Sequence, residues 1–321
     1  MTLKDVINPY LYAVLARNYL YDKGLKKSEK IEVPVISIGN ISVGGTGKTS
    51  MVRYLIGELY KDYKIAIISR GYKRKSKGLL VVYTKGEVKV TLEEAGDEPY
   101  LLAKYFQKKG INNVVIIVDE IRARGARFAV KNYKVNLILL DDGFQHRAIK
   151  RNLDIVLLKK KDIKDSLLPF GRLREPITSL KRADALILSY QDVYPFDFSF
   201  KDKPVFKMYR TNWKVCNWLW EVLDKEEFLS KEFIAFSGLG DNRQFMLSIK
   251  KLGIKIKKFL SFPDHFSYSK LKFNKNINYL TTLKDWIKLK DKKNVYFLDF
   301  DLKIENFNSW FKHKLQTFLD V

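Results

Sequence analysis

The chain has 321 residues, of which 46% are hydrophobic, enough to bury a large core in one large or two ordinary domains. Its single cysteine, Cys216, excludes a disulfide framework and a cysteine zinc site, and it fits a reducing compartment. A formal charge of +24 suits nucleic acid, an anionic membrane or a phosphorylated substrate, although lysine-rich solvated faces alone would also produce it. No basic run with interleaved aromatic residues indicates a nucleic-acid module, and we expect no nucleic-acid partner.

An apolar and aromatic segment runs from Pro9 to Tyr21, and a lysine cluster follows it at residues 23–30. An apolar face beside lysines suits a helix that lies in a membrane interface, where each basic residue contributes about 1 kcal/mol. A helix that covers the core of its own domain would show the same apolar pattern, and the sequence leaves both interpretations open. No apolar run approaches the ~20 residues of a spanning helix, so any membrane attachment is expected to be peripheral.

The most informative stretch runs from Val33 to Ser50, with the sequence VPVISIGNISVGGTGKTS. An apolar strand leads into a glycine-rich turn, and Lys48-Thr49 then opens a helical pattern. This order predicts a phosphate-binding loop, in which backbone N–H groups approach phosphate oxygens at a helix N-terminus. A tight turn with a chance Gly-Lys-Thr is the simpler alternative, and the leading glycine of the motif is Ser42 here. The predicted nucleotide-binding residues are Gly44, Gly45, Thr46, Gly47, Lys48 and Thr49.

Further apolar strands alternate with helical segments along the first part of the chain. Strands are predicted at residues 64–69, 113–119, 135–140, 153–158 and 185–190. Such alternation indicates a parallel sheet that is covered on both faces. The predicted fold is therefore α/β, a phosphate-loop kinase-like parallel sheet flanked by helices. Ligands of these sheets bind at the carboxyl ends of the strands, so the loops there are expected to converge on one crevice.

The sequence pattern changes after residue 203. Residues 204–220 alternate and carry many aromatic side chains, which we interpret as a pair of linker strands. A second, smaller α/β unit follows. The predicted organisation is an N-terminal nucleotide-binding and catalytic domain with the membrane-associating helix at 1–203, a β-strand linker at 204–230 and a C-terminal α/β domain at 231–321.

Two adjacent carboxylates, Asp141 and Asp142, follow the predicted strand at residues 135–140. An apolar strand that delivers carboxylates beside a phosphate loop is typical of a Mg²⁺ site, with the Thr49 hydroxyl as a further ligand. A simple turn at Asp142-Gly143 is the alternative interpretation.

Other polar residues stand in similar loops. Gln145 and His146 follow the carboxylates closely and are placed to orient a substrate or metal-bound water. Asp97 has a simpler explanation, because it suits a helix N-cap with a proline in the first turn. His265 is one of three histidines, and on spacing alone His146 and His265 are more typical of structural than of catalytic residues.

Eight short stretches in a fixed order give the chain its resemblance to a known family. They are GNISVGGTGKT at 39–49, SRGY at 69–72, GDEP at 96–99, DDGFQH at 141–146, LREP at 173–176, FSGLG at 236–240, FPDH at 262–265 and TTLKD at 281–285. Together they closely resemble the tetraacyldisaccharide 4′-kinases, the lipid A 4′-kinases of Gram-negative bacteria. The DDGFQH and GDEP stretches are specific to that family, whereas the phosphate loop alone is not.

The resemblance implies transfer of phosphate from ATP, with Mg²⁺, to the 4′-hydroxyl of a lipid-anchored glucosamine disaccharide that carries a 1-phosphate. It implies an anionic glycolipid substrate and a peripheral position at the cytoplasmic face of the bacterial inner membrane, and we expect a monomer. Asp97 is implied as the base, tuned through a dyad with His265. Because the two residues fall in different predicted domains, we expect closure across the linker to assemble the site. The other implied residues are Lys48 in catalysis, Thr49, Asp141 and Asp142 at Mg²⁺, and Arg70, Glu98, Arg122, Gln145, His146 and Arg174 near the substrate or phosphates.

Two other classes of protein compete with this interpretation. A phosphate-loop ATPase or GTPase that acts in assembly at a membrane shares the loop, but such ATPases carry a lysine just before the paired glycines, where this chain has Val43. A basic binding protein that uses ATP only to change conformation is the non-enzymatic alternative. Transfer of labelled phosphate from ATP to a lipid disaccharide separates the three.

Overall fold

The computed structural model describes residues 7–319. The chain divides into two compact units: the first runs to Tyr209 and resumes at Ile304, and the second comprises Arg210–Lys303. The sequence pattern grouped the final helix with the second domain, but the structure places it in the first unit because the last strand carries the chain back. Within the described residues, no helix is long and apolar enough to cross a membrane.

The helices and strands have the following bounds. The helices are α1 Pro9–Asp22, α2 Lys48–Leu59, α3 Leu92–Ala95, α4 Asp97–Lys108, α5 Arg122–Tyr133, α6 Lys225–Ser230, α7 Asn242–Lys251, α8 Leu283–Trp286 and α9 Phe307–Leu319. The strands are β1 Val35–Asn40, β2 Ile65–Ser69, β3 Leu80–Thr84, β4 Glu87–Val88, β5 Val114–Val118, β6 Leu137–Asp141, β7 Leu153–Leu158, β8 Ala185–Leu188, β9 Val205–Cys216, β10 Glu232–Ser237, β11 Lys255–Ser261, β12 Asn278–Thr282 and β13 Val295–Ile304.

The first unit is built on a mostly parallel sheet with the strand order β9-β8-β7-β1-β6-β2-β5-β3-β4. Every residue of β1, β2, β5, β6 and β7 is buried. Such strands need apolar cover on both faces, and two separate apolar clusters provide it. The edge strands β3 and β4 run antiparallel. The predicted α/β fold with a parallel sheet and flanking helices is confirmed.

The pairing of β1 determines where the loops of this unit meet. β1 lies between β6 and β7, with Ile38 opposite Asp141 and Asn40 opposite Leu157. β6 also pairs with β2 in parallel. Because parallel strands end at the same edge, the loops after β1, β2, β6 and β7 all leave the sheet on one side.

The second unit has its own parallel sheet, in the order β11-β10-β12-β13, with the end of β9 beside β13. Its core includes Phe233, Phe245, Ile249 and Leu280. The predicted pair of linker strands is wrong, because residues 205–216 form the single strand β9. No glycine or proline interrupts that stretch, so the alternating pattern continues without a turn.

Candidate active site

The loop between β1 and α2 has the backbone that phosphate binding requires. Gly44 and Gly47 have φ angles of 88° and 90°, which side chains other than glycine rarely adopt. Gly47 occupies the N-cap position of α2, and no side chain there bonds to the helix N-terminus. The first turn of α2 therefore presents its N–H groups and the positive end of its dipole to a ligand.

A small polar network fixes the shape of this loop. The Asn40 side chain donates from Nδ2 to the Thr46 hydroxyl at 2.8 Å. Gln145 in turn donates from Nε2 to the backbone oxygen of Asn40 at 2.9 Å. Thr46 and Gln145, both predicted as ligand residues, thus support the loop itself.

The two adjacent carboxylates at the end of β6 lie in different environments. Asp141 is buried, and burial together with the charge of Glu98 raises its pKa to about 7. Asp142 has a φ of 55° and accepts two hydrogen bonds from Arg174, at 2.7 and 2.9 Å. Burial acts to raise the pKa of Asp142, but Lys48, whose Nζ lies 3.4 Å from Oδ1, and Arg174 outweigh it and hold that pKa well below its ordinary value.

The donor set fits Mg²⁺ better through Asp141 than through Asp142. The Asp141 Oδ1 atom is buried without a hydrogen-bond partner in the described chain, and a cation would satisfy it. Both oxygens of Asp142 are already bonded to Arg174. Oxygen ligands are those that Mg²⁺ prefers, and the Thr49 hydroxyl at the start of α2 supplies another.

Arg122 and His146 pack behind these carboxylates. Arg122 is buried and donates from Nη1 to the backbone oxygens of Asp141 and Asp142, at 3.3 and 2.8 Å. Burial, with the charges of Arg122, Arg151 and Arg70, lowers the pKa of His146 to about 4. His146 is therefore neutral near pH 7.

Asp97 and Glu98 open helix α4. The N-cap residue is Gly96, which has a φ of 86°, and Asp97 is the first helical residue. The expectation that Asp97 is an N-cap is therefore wrong, because no side chain caps this helix. Glu98 lies close enough to Asp141 to raise its pKa. Arg70, exposed after β2, likewise affects Arg122 and His146 through its charge.

His265 belongs to the second unit and has an unusual backbone, with a φ of 63°. Its Nε2 atom lies 3.8 Å from Oδ1 of Asp264, which also pairs with Lys284 at 3.2 Å. Asp97 lies in the first unit, so its pairing with His265 stays a prediction.

Residues 171–176, here called the strap, connect the site to helix α1. Arg174 of the strap holds Asp142, and its backbone oxygen accepts a hydrogen bond from the Tyr10 hydroxyl at 3.0 Å. Its neighbour Glu175 is fully buried. Glu175 accepts hydrogen bonds from Arg17 at 2.9 Å, Asn18 at 3.0 Å and Arg182 at 2.9 Å.

Helix α1 has two different apolar faces. Leu11 and Val14 are buried on one face, which confirms that the helix covers the core. Tyr12, Leu15 and Tyr19 are 53%, 44% and 57% exposed, although they are large and apolar. Their spacing of three and four residues places them together on a second face, which adjoins the buried one.

Sequence reasoning missed three residues at the phosphate loop. The Lys159 Nζ donates to the backbone oxygen of Val43 at 3.4 Å, and the Tyr190 hydroxyl donates to that of Gly45 at 3.3 Å. Arg172 lies beside Gly44. The position of Lys159 directly after an apolar strand was the available signal, because ligands gather at such strand ends.

A phosphate loop, a strand-end carboxylate pair and several cations at one edge of a parallel sheet define a nucleotide-binding protein of the phosphate-loop class. Residues 3–317 match the family model described as tetraacyldisaccharide-1-P 4′-kinase. The chain therefore belongs to the tetraacyldisaccharide 4′-kinase family, and the predicted resemblance, the kinase activity and the use of ATP with Mg²⁺ are confirmed.

Individual relatives agree with this membership. The tetraacyldisaccharide 4′-kinase of Aquifex aeolicus (strain VF5) is 52% identical over 92% of both chains. That of Koribacter versatilis (strain Ellin345) is 36% identical over 86% of this chain and 85% of its own. The crystal structure of Aquifex aeolicus LpxK in complex with ATP superposes with a TM-score of 0.86 at 50% identity, over 96% of each chain.

Proposed function

We propose that this kinase transfers the terminal phosphate of ATP to the 4′-hydroxyl of a tetraacyldisaccharide 1-phosphate. The observation that carries the proposal is the charge arrangement at the end of β6. Lys48 at the phosphate loop pairs with Asp142, Arg174 holds both oxygens of that carboxylate, and the buried Asp141 lies beside it. Cations, carboxylates and a phosphate loop in one place are the parts that phosphoryl transfer needs.

The phosphate loop binds and orients the donor in this mechanism. The N–H groups at the start of α2 hold phosphate oxygens, and Lys48 reaches the terminal phosphates. Asp141 and Thr49 would hold Mg²⁺, which neutralises phosphate charge when it is bound. Asp142 keeps Lys48 and Arg174 in place, because its lowered pKa leaves it ionised at every physiological pH.

Asp97 is the proposed base. It accepts the proton of the acceptor hydroxyl while the new O–P bond forms and the bond to the leaving diphosphate breaks. His265, placed by closure of the second unit, orients Asp97 by a hydrogen bond. Arg70, Arg122, Arg174, Glu98, Gln145 and His146 are proposed to border the acceptor and the phosphates. Asp97 is the first residue of α4 and does not cap it, so helix capping does not already engage its carboxylate.

We further propose that the enzyme works as a monomer, peripherally bound at the cytoplasmic face of the inner membrane. The exposed apolar face of α1, with Tyr12, Leu15 and Tyr19, supports this position, and so does the 51% exposed Phe170 in the loop before the strap. The Asn8 side chain donates to the backbone oxygen of Leu168 at 2.9 Å, which keeps that loop beside the start of α1. Apolar side chains beside lysines favour insertion into an anionic interface.

The decisive experiment offers γ-labelled ATP with the lipid disaccharide 1-phosphate in detergent. The expected product is labelled lipid, with Lys48→Met as the inactive control. Release of inorganic phosphate alone, stimulated by a partner protein, would instead support an assembly ATPase.

Flotation with vesicles containing anionic lipid tests the membrane proposal: a variant with serine at 12, 15 and 19 should remain in the unbound fraction. Light scattering in solution tests the monomer.

A further inference from the structure

The strap runs antiparallel beside the phosphate loop. The Val43 N–H donates to the backbone oxygen of Arg172 at 2.8 Å, and the Arg174 N–H donates to that of Ile41 at 2.7 Å. Ser42 and Leu173 form an isolated antiparallel bridge between them. In this extended pairing successive side chains point to opposite faces. Leu173 is buried in the core, so Arg172 and Arg174 share the face that borders the site.

Arg172 and Lys159 lie against the strand-side half of the phosphate loop. A Cβ atom placed on Gly44 would lie 3.0 Å from Arg172 Nη2 and 4.0 Å from Lys159 Nζ. The Lys159 side chain is only 12% exposed. It follows β7, which pairs with β1, so its position at the loop results from the sheet itself.

Three cations, Lys48, Lys159 and Arg172, lie within range of one another at this turn, and Lys48 is also paired with Asp142. Burial lowers the pKa of Lys159, and the charges of Arg172 and Lys48 lower it further. Asp162, 3.7 Å from Lys159 Nζ, acts in the opposite direction but does not outweigh them. Three cations thus converge on one glycine turn at an energetic cost that a phosphate group would relieve.

We propose that Lys159 and Arg172 bind the terminal phosphate of the nucleotide and stabilise its transfer; this rests on the proposed kinase function. The position of these two side chains along the phosphate loop determines which phosphate group they contact. Residues 47–49 begin helix α2 and hold the inner phosphates, whereas Lys48 reaches towards the terminal one. Lys159 and Arg172 lie at the opposite end of the turn, at Val43 and Gly44, within range of the Lys48 charge.

The chemical role follows from the charge that moves in the reaction. The bond between the terminal phosphorus and the bridging oxygen breaks, and its electron pair stays on the departing diphosphate. The acceptor oxygen forms the new bond to phosphorus and passes its proton to Asp97. Cations fixed around the transferred group offset its charge throughout, which is the main source of catalysis in phosphoryl transfer.

The test compares ATP with ADP, measured by calorimetry on the full chain with Mg²⁺ and no lipid. Lys159→Met and Arg172→Gln should each weaken ATP binding by about tenfold, since each removes a charge-assisted hydrogen bond. ADP lacks the terminal phosphate, so its affinity should change by less than about threefold. Lys160→Met, an exposed neighbour, is the matched control and should bind both nucleotides normally. Arg172→Lys should recover part of the ATP affinity.

Steady-state kinetics completes the test. Both variants should lower kcat by about tenfold or more, with the KM for the lipid acceptor unchanged. An equal loss of ATP and ADP affinity would overturn the proposal, because the side chains would then only support the loop. Unchanged nucleotide affinity with a raised lipid KM would also overturn it and assign the cations to the phosphate of the acceptor. The calorimetry needs no lipid, so failure of the proposed acceptor would leave its outcome interpretable. Thermal unfolding identifies any variant that does not fold, and the other variant then carries the test.

Discussion

The first and second units contain the same local sequence of elements, a parallel strand followed by a glycine-containing turn and a helix, but with opposite electrostatics. In the first unit, Gly47 begins α2 without a side-chain cap, and Lys48, Lys159 and Arg172 surround the turn. Uncapped N–H groups and nearby cations are together favourable for an anion that binds at this turn.

The corresponding turn of the second unit, at residues 237–241, is satisfied by its own side chains. The Gly238 N–H donates to Oδ2 of Asp285 at 2.9 Å, and the Leu239 N–H donates to Oδ1 of Asn242 at 2.8 Å. The Asp241 side chain caps α7 by accepting from the Arg243 N–H. Carboxylate and amide oxygens thus occupy the positions that phosphate oxygens would take. A strand, turn and helix therefore make a phosphate site only where the protein leaves the N–H groups unoccupied.

The largest expected effect concerns the chemistry proposed for the first unit. Asp97→Ala should lower kcat by about 10³-fold, because a positioned base contributes about 10²–10⁴-fold. ATP affinity should change little, since the loop and α2 hold the nucleotide. Labelled-phosphate turnover and calorimetry measure the two quantities. His265→Ala should give a smaller loss of kcat with the same affinity, and near-normal turnover of Asp97→Ala would remove Asp97 as the base.

The next prediction disrupts the satisfied turn of the second unit. Asp285 is fully buried, accepts from Gly238 and Thr282, and lies 3.5 Å from the buried Lys288 Nζ. Asp285→Asn should lower the free energy of unfolding by about 3 kcal/mol, because it leaves a buried ammonium without its counter-charge. Chemical denaturation measures this loss. Adding Lys288→Met to Asp285→Asn should recover part of the lost free energy of unfolding. If the second substitution instead adds its own loss, the Asp285–Lys288 ion pair is not what stabilises this turn.

A third prediction adds a carboxylate to the phosphate loop of the first unit, so that it resembles the turn at residues 237–241 of the second unit. Gly45→Asp places a carboxylate in the phosphate loop, where a Cβ atom has room because its nearest neighbour, the Tyr190 hydroxyl, lies 4.0 Å away. ATP affinity should fall about 100-fold, since like charges in contact cost several kcal/mol. Gly45→Ala tests for steric effects and should bind within about threefold of the parent. Gly57→Asp, on an open part of α2, is the charge control. Equal binding by the two Gly45 variants would contradict the electrostatic account.

The smallest expected effect concerns Glu175. Its charge is paired with Arg17 and Arg182, although its neighbour Arg174 borders the candidate active site. Burial acts to raise the pKa of Glu175, but Arg182, Asn18 and Arg17 hold it below its ordinary value. The folded protein thus binds this proton less readily than the unfolded chain. The stabilisation is present above the unfolded pKa of about 4.3 and is lost as the pH falls through the folded pKa.

Glu175→Gln should therefore cost about 2 kcal/mol of unfolding free energy at pH 7. Denaturation between pH 7 and pH 3 should show the parent and the variant converging as the pH falls. A constant difference across that range would mean that the charge of Glu175 is not the stabilising feature.

The sequence predicts the sheet and the loops at its edge because buried parallel strands have a strong apolar pattern and a shared direction. It also predicts Lys48, Thr49, Asp141 and Asp142 through their spacing in the chain. It does not separate the two carboxylates, since their pKa values depend on burial and on Arg174, 32 residues away from Asp142. The pairing of the strap with the phosphate loop involves too few residues to give a period-two signal, so Arg172 is not predicted. The sequence predicts a pair of strands where the structure has the single strand β9, because alternating aromatic residues suit two short strands as well as one long strand.

The contacts that hold helix α1 to the strap have a mechanical consequence. Tyr10 and Arg17, which bond to the strap, lie on the side of α1 opposite its exposed apolar residues, and the helix is about 10–12 Å in diameter. The Tyr10 hydroxyl and the buried Glu175 carboxylate fasten that helix to the strap. A lipid held in a bilayer by its acyl chains can raise its sugar only a short distance above the surface. In the proposed membrane-bound position, α1 would therefore set the height above the bilayer at which Arg174 and the phosphate loop meet the hydroxyl group.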